Sequence, residues 1–83
     1  MDLDIFKCTN DRTMKGVVEK GKATNLPAHI CKGEWVYETS LTLTETDSTL
    51  PNGASPKEIL SDIKENSYHI GNYEIISTGF GKL

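Results

Sequence analysis

The sequence predicts a small α+β protein: an antiparallel sheet of four to five strands with one amphipathic helix packed on one face. Three observations predict this class. Several segments alternate with period two, one segment has helical periodicity with its own capping residues, and the connections between the strands before the helix are short. Short connections join antiparallel neighbours, so the expected order is β-β-(β)-β-α-β. The 83 residues are expected to form one domain, 1–83.

The first part of the chain predicts two strands joined by a turn. Leu3–Thr9 carries apolar side chains on both faces, which is typical of a strand covered on both sides. Asn10–Arg12 has the composition of a turn. Met14–Lys20 predicts the second strand, with Gly16 as a candidate bulge, and a loop follows.

The strongest strand signal is the segment Glu34–Thr46. Its even-numbered positions are mostly glutamate, serine and threonine, and its odd-numbered face carries the apolar residues Trp35, Tyr37, Leu41 and Leu43. This pattern predicts a strand with one buried and one wet face, and we expect the helix to cover the odd-numbered face. The segment is long for one strand, so a bend or bulge is expected near Thr39–Ser40.

A helix is predicted after the loop Asp47–Ala54. Ser55 is the expected N-cap, Pro56 suits the first helical position, and Glu58 completes a capping box. An apolar stripe follows, and the helix is expected to end near Asn66 or Ser67.

The end of the chain predicts one more strand and a tail. Asn72–Thr78 is the expected closing strand. Residues 79–83, which include two glycines around Phe80, are expected to form a flexible tail.

Composition excludes several classes of protein. Apolar residues make up 36% of the chain and charged residues 25%, which is ordinary for a folded domain. No apolar run reaches the roughly 18 residues of a membrane span, so no membrane partner is expected. The N-terminus has acids where a signal peptide needs basic residues, which predicts a cytoplasmic protein. In that compartment the two cysteines should stay as thiols.

One alternative function is a metal-dependent or thiol-dependent protein. Cys8, His29, Cys31 and His69 form a Cys₂His₂ set, which suits tetrahedral zinc. His29 and Cys31 would share a face if their segment were extended, and His29 could then act as a base for a Cys31 nucleophile. The sequence has no C-x₂₋₄-C or H-x₃₋₅-H pair to begin a zinc site, and no oxyanion-stabilising motif is visible for thiol catalysis. We therefore expect no metal, no cofactor and no enzymatic activity.

A second alternative is weak nucleic-acid binding through the basic first part of the chain. Residues 1–33 have a net charge of +2 and residues 34–83 of −5. Arg12, Lys15, Lys20 and Lys22 could line a hairpin. The total charge of −3 opposes phosphate binding, so nucleic acid is not the expected partner.

The preferred hypothesis is a small non-enzymatic protein-interaction module with an accessory or inhibitory role. Such chains are common in phages and mobile elements. That origin is expected only from this frequency and not from any residue of the sequence. The partner would be another protein or a second copy in a homodimer. The contacts are expected at the edge of the long strand, through Thr39, Thr42 and Thr44, or at Phe80.

Overall fold

The computed structural model of the chain describes residues 1–44, 55–72, 74–76 and 79–81. Its elements are strands β1 (Asp2–Cys8), β2 (Asp11–Glu19) and β3 (Trp35–Thr42), helix α1 (Pro56–Asn66), and strands β4 (His69–Asn72), β5 (Glu74–Ile76) and β6 (Gly79–Gly81), with a 3₁₀ turn at Ala23–Asn25. A four-stranded antiparallel sheet has one helix packed against it. The predicted α+β class is confirmed.

The main sheet has the strand order β3-β1-β2-β4, and β5 and β6 form a separate two-stranded sheet. All pairings are antiparallel. Leu3 lies opposite Glu19 of β2 and opposite Leu41 of β3, so β1 is paired along both of its sides. β1 is therefore an inner strand of the main sheet.

The hydrophobic core lies between the sheet and α1. We call this side of the sheet the helix face. Its buried side chains come from three strands or their ends and from the helix: Leu3, Ile5, Val17, Leu43, Ile59, Leu60 and Ile63, with Leu41 partly buried beside them. Each fully buried aliphatic side chain stabilises the fold by about 1.5–3 kcal/mol. The apolar stripe of α1 therefore covers the sheet, as predicted.

A β-bulge at Glu38 interrupts β3. Thr39 lies opposite Ile5 and Tyr37 lies opposite Phe6, so Glu38 is the extra residue between them. The expected irregularity near Thr39–Ser40 is confirmed, one residue earlier than predicted. A bulge adds one residue to one strand and so changes the phase of the side-chain alternation.

The bulge separates the odd-numbered residues of β3 into two groups. Leu41 lies opposite Leu3 and so points to the helix face, whereas Tyr37 lies opposite Phe6 and points to the other face. Trp35 lies on the same side as Tyr37, two residues along the strand. The prediction that the helix covers one continuous odd-numbered face is therefore wrong for Trp35 and Tyr37.

The opposite side of the sheet, which we call the loop face, is partly covered by the segment that leads into β3. The Trp35 indole Nε1–H donates a hydrogen bond to the Pro27 carbonyl oxygen at 3.2 Å. A Cβ atom on Gly16 would lie 2.5 Å from Leu26 Cδ2 and 3.1 Å from Trp35 Cζ3. Gly16 therefore permits close packing of Trp35 and Leu26, and it is not the bulge that the sequence suggested.

Helix α1 begins and ends where the sequence predicts. The Ser55 side chain accepts a hydrogen bond from the Glu58 backbone N–H at 3.4 Å, and Pro56 occupies the first turn. At the other end, Ser67 adopts a left-handed conformation with φ of 75° and donates its N–H to the Ile63 carbonyl at 2.9 Å. This ending is a common way to satisfy the last carbonyls of a helix.

The C-terminal region differs from the prediction. Within the expected closing strand Asn72–Thr78, Asn72 is the last residue of β4, which pairs with β2, and Glu74–Ile76 form β5, which pairs with β6; residues 73, 77 and 78 lie outside the described residues. Residues Gly79–Gly81 of the expected flexible tail form β6, because their backbone groups pair with β5; Lys82 and Leu83 lie outside the described residues. Within the described part of the chain, no helix has the length and apolar character needed to cross a membrane.

Candidate interaction edge

Strand β3 forms one edge of the main sheet. Among the described residues it pairs with β1 and with no other strand. An edge strand directs the N–H and C=O groups of alternate residues away from its sheet, where a strand from another chain can pair with them. The identity of the outward-facing residues therefore defines what this edge can bind.

Two hydrogen bonds show which residues at the C-terminal end of β3 direct their backbone groups toward β1. The Leu43 N–H donates to the Met1 carbonyl at 3.0 Å, and the Met1 amino group donates to the Leu43 carbonyl at 2.7 Å. Leu43 thus faces β1 with its backbone, and antiparallel alternation assigns the same direction to the two preceding odd-numbered residues. Ser40 and Thr42 therefore point their backbone groups outward.

A separate hydrogen bond shows the direction of the backbone groups in the part of β3 before the bulge. The Thr9 N–H donates to the Glu34 carbonyl at 3.0 Å, so Glu34 faces β1. By the same alternation, the backbone groups of Trp35 and Tyr37 point outward. The outer edge of β3 thus has two short stretches of outward-facing backbone groups with the Glu38 bulge between them.

Two β3 side chains on the loop face donate hydrogen bonds to carboxylates of β1, and a third β3 side chain bonds to one of these two. The Thr42 hydroxyl donates to Asp2 Oδ1 at 2.6 Å, and the Ser40 hydroxyl donates to Asp4 Oδ1 at 2.7 Å. Tyr37 Oη lies 2.7 Å from Ser40 Oγ. Because Ser40 uses its only hydroxyl hydrogen on Asp4, Tyr37 must be the donor to Ser40. These side-chain bonds attach to β1 the residues of β3 whose backbone groups point outward.

The hydrogen bonds around Asp4 favour its ionised form. The Ser40 hydroxyl is the main reason that the pKa of Asp4 lies below its ordinary value of 3.8. The Gly21 backbone N–H, which donates to Asp4 Oδ2 at 3.1 Å, and the positive charge of Lys20 act in the same direction. The carboxylate is therefore an acceptor for Ser40 at neutral pH.

Two large apolar side chains lie exposed before the bulge. Tyr37 is 54% exposed and Val36 is 39% exposed. The Tyr37 ring meets the Phe6 ring edge-to-face, with centroids 5.8 Å apart and an angle of 77° between the planes. Exposed aromatic residues of this kind are enriched where proteins contact other proteins.

The predicted partner-binding residues have different positions. Thr42 lies on the outward-facing edge, whereas Thr39 is half-buried and faces β1 with its backbone. Thr44 is exposed and lies just beyond β3. Phe80 lies in β6, opposite Ile75, and its side chain is outside the described part of the structure.

The bulge residue Glu38 accepts a hydrogen bond from the Lys15 ammonium group at 2.6 Å. Lys15 lies on β2, so its side chain reaches across β1 to β3. It is 3% exposed, whereas the Glu38 side chain is 24% exposed. This ion pair ties the bulge to the centre of the sheet.

The two cysteines form a disulfide, which corrects the expectation of free thiols. Cys8 and Cys31 are 1% and 3% exposed, and the bond joins the end of β1 to the segment before β3. Neither sulfur is then available as a nucleophile or as a zinc-ligating thiolate. The cysteine-based alternatives are therefore wrong for this oxidised structure.

The histidines of the proposed metal set lie apart from each other in different environments. His29 is exposed in the loop before Cys31. His69 is buried on β4, with Nδ1 2.7 Å from Asp62 Oδ2 on α1. Among the described residues, no group of three or more histidine, cysteine, aspartate or glutamate side chains is arranged to hold a metal ion.

The basic residues considered for nucleic-acid binding do not form one surface. Lys15 is buried in its ion pair with Glu38, so it is not available to phosphate. Lys20 and Lys22 are exposed at the end of β2 and in the following loop. The side chain of Arg12 lies outside the described part of the structure.

Sequence reasoning missed the aspartates that organise the edge. Asp2 and Asp4 look like solvating residues of the first strand, and only the pairing of β1 with β3 brings them to Thr42 and Ser40. Their spacing of two residues on one strand, matched by two hydroxyl residues with the same spacing on another, is the signal that was available.

Comparisons with known proteins find no matching family model, no matching curated protein and no matching solved structure.

Proposed function

We propose that this chain is a small non-enzymatic protein-interaction module that binds its partner by strand addition at β3. The observation that carries the proposal is the edge position of β3, with Ser40 and Thr42 directing backbone groups outward. Strand addition obtains affinity from main-chain hydrogen bonds and specificity from the neighbouring side chains. This edge offers groups for both purposes: outward backbone amides, and the fixed side-chain hydroxyls of Ser40 and Thr42.

The composition of β3 supports this role. Many proteins protect an edge strand from pairing by placing lysine or proline in it, and Trp35–Thr42 contains neither. The bulge at Glu38 is a protective device, but it leaves the stretch after it regular and uncharged. We therefore assign the binding function to residues 39–43.

The test compares the wild type with two substitutions at one position. Thr42→Pro removes the outward N–H and the side-chain hydrogen bond to Asp2, but it removes no backbone hydrogen bond to β1, and proline is tolerated at such edge positions. Thr42→Val removes the hydroxyl and keeps the N–H. Each of the three proteins is immobilised and used to recover partners from cells that produce this chain. The recovered partner is then purified, and its binding to each of the three proteins is measured by calorimetric titration.

We expect the partner to bind the wild type and Thr42→Val with similar affinity and to bind Thr42→Pro at least about tenfold more weakly. Circular dichroism confirms that both variants are folded. Equal binding to all three folded proteins would show that the edge is not the binding surface.

The cytoplasmic location expected from the N-terminus stays a prediction. A disulfide is uncommon in proteins that remain in the reducing cytosol, so the Cys8–Cys31 bond weighs against this location. The proposed strand addition does not depend on the compartment.

A further inference from the structure

We propose that the strand added at this edge is β3 of a second copy, paired antiparallel about a twofold axis at Leu41. The proposal rests on the function proposed above and names its partner. It produces an eight-stranded sheet with both helices on the same side, because residues directly opposite each other in an antiparallel pair share a face.

The outward-facing residues have the symmetry that such pairing needs. Ser40 and Thr42 lie at equal distances on either side of Leu41. When a second β3 runs in the opposite direction, Ser40 lies opposite Thr42 of the second copy, and Thr42 lies opposite its Ser40. Each of these pairs exchanges two backbone hydrogen bonds, which makes four bonds across the twofold axis.

Leu41 supplies the apolar contact at the axis. It points to the helix face and is only partly buried against the core of its own chain. In the proposed register it lies opposite Leu41 of the second copy as a non-hydrogen-bonded pair, where Cα atoms are about 4.5 Å apart. Pairing therefore removes more of Leu41 from water and joins the two cores along the sheet.

The charges of β3 favour self-pairing at Leu41 over self-pairing in the stretch before the bulge. Residues 39–44 are uncharged, so no like charges meet across the axis at Leu41. Self-pairing before the bulge would centre on Val36 and would place Glu34 opposite Glu38 of the second copy. Like charges directly opposite each other destabilise a strand pair.

The carboxylates beside the edge do not oppose dimerisation strongly. Asp2 and Asp4 lie on β1, so three strand spacings, about 14 Å, separate them from the carboxylates of the second copy. This exceeds the Debye length of about 8 Å at physiological ionic strength. Because only four backbone hydrogen bonds and the Leu41 pair are made across the axis, we expect a weak dimer that forms between about 1 µM and 1 mM protein.

A cross-linking experiment tests the register. Leu41→Cys places two sulfurs at the close pair on the axis, within reach of a disulfide. Tyr37→Cys is the matched control, because Tyr37 is more exposed but lies about 25 Å from Tyr37 of the second copy in this register. Both proteins are oxidised mildly at 0.5 mM and examined on non-reducing gels. The native cysteines are buried in their own disulfide.

We expect a covalent dimer from Leu41→Cys in at least about fivefold excess over Tyr37→Cys, and we expect Thr42→Pro to reduce it in the Leu41→Cys background. Sedimentation of the wild type should show a monomer at about 5 µM and dimer at about 1 mM. Equal cross-linking of the two cysteine variants, or a wild-type monomer at 1 mM, would overturn the dimer.

The outcomes also separate this inference from the proposed function. A chain that stays monomeric but binds a different protein in a Thr42-dependent manner overturns the second copy as partner and leaves strand addition at β3 intact. A monomeric chain with no Thr42-dependent partner overturns both.

Discussion

The Lys15 ammonium group lies 2.6 Å from Glu38 Oε1, and β1 runs between the two strands that carry them. Glu38 is the extra residue of the β3 bulge, so the ion pair occurs where the strand departs from regular pairing. A buried ammonium group requires a partner because its desolvation is costly. The bulge supplies that partner, and one local irregularity in β3 thereby satisfies a charge on β2.

We expect Glu38→Ala to destabilise the protein by about 3 kcal/mol, because it leaves the Lys15 ammonium buried without its carboxylate. Lys15→Met should cost less, since the glutamate left behind is partly exposed to water. Urea unfolding of both variants measures the difference. The double variant Lys15→Met with Glu38→Leu should recover much of the loss, and additive losses would contradict a direct interaction.

Removing the disulfide should lower the free energy of unfolding by about 3 kcal/mol, because the bond closes a loop between cysteines 23 residues apart and so restricts the unfolded chain. The measurement is urea unfolding of the Cys8→Ala, Cys31→Ala double variant against the wild type. A reductant should change the stability of the wild type and leave the double variant unchanged. His29→Ala is the control, because His29 is exposed and should contribute little. A double variant as stable as the wild type would contradict this expectation.

Stability should decrease in acid, in part through Asp4. Its pKa is lower in the folded protein than the ordinary 3.8, so the folded state binds fewer protons than the unfolded state near that pH. The contribution of Asp4 is therefore complete above about pH 5 and is lost as the pH falls through its folded pKa.

Asp4→Asn should flatten the dependence of unfolding free energy on pH below about pH 4, as measured by urea unfolding at several pH values. Ser40→Ala should flatten it as well, because the Ser40 hydroxyl is the main cause of the lowered pKa. An unchanged slope in both variants would show that this hydrogen bond does not stabilise the folded protein.

Gly16→Val should destabilise the protein by about 1–3 kcal/mol, because the new side chain would overlap Leu26 and the Trp35 ring. Gly21→Ala serves as a control of a different kind: Gly21 has open space around it but a φ of 84°, so its cost comes from backbone strain. Tryptophan fluorescence separates the two, since only the Gly16 variant should displace Trp35. An unshifted emission spectrum would contradict the packing described for Trp35.

Local patterns were sufficient to predict most elements of this fold. Helix α1 carries its own start and stop residues in Ser55, Pro56 and Ser67, so its limits do not depend on the rest of the chain. The face on which each β3 residue lies was not predictable in this way. It depends on one extra residue, Glu38, which pairs with Lys15, 23 positions earlier in the sequence.

The sequence predicted the strand on which the candidate edge lies, but not which of its residues face outward. Alternation predicts a long strand with a candidate open edge, and Thr42 lies on the edge that β3 forms. Which threonines face outward depends on pairing with β1, and this pairing could not be inferred from β3 alone. The expected cytoplasmic compartment predicts free thiols, whereas the fold brings the end of β1 beside the segment before β3, and the two cysteines form the one disulfide they allow.

The Cys8–Cys31 bond closes a covalent ring that includes the whole of β2. Lys20 and Lys22 lie exposed within that ring, where trypsin could cleave the backbone after either lysine. A chain nicked there would become two polypeptides, one carrying the β1–β2 hairpin and the other carrying β3 and α1, still joined through sulfur. Proteolytic clipping of this loop would thus leave the edge strand attached to its sheet, and only reduction of the disulfide would let the two pieces separate.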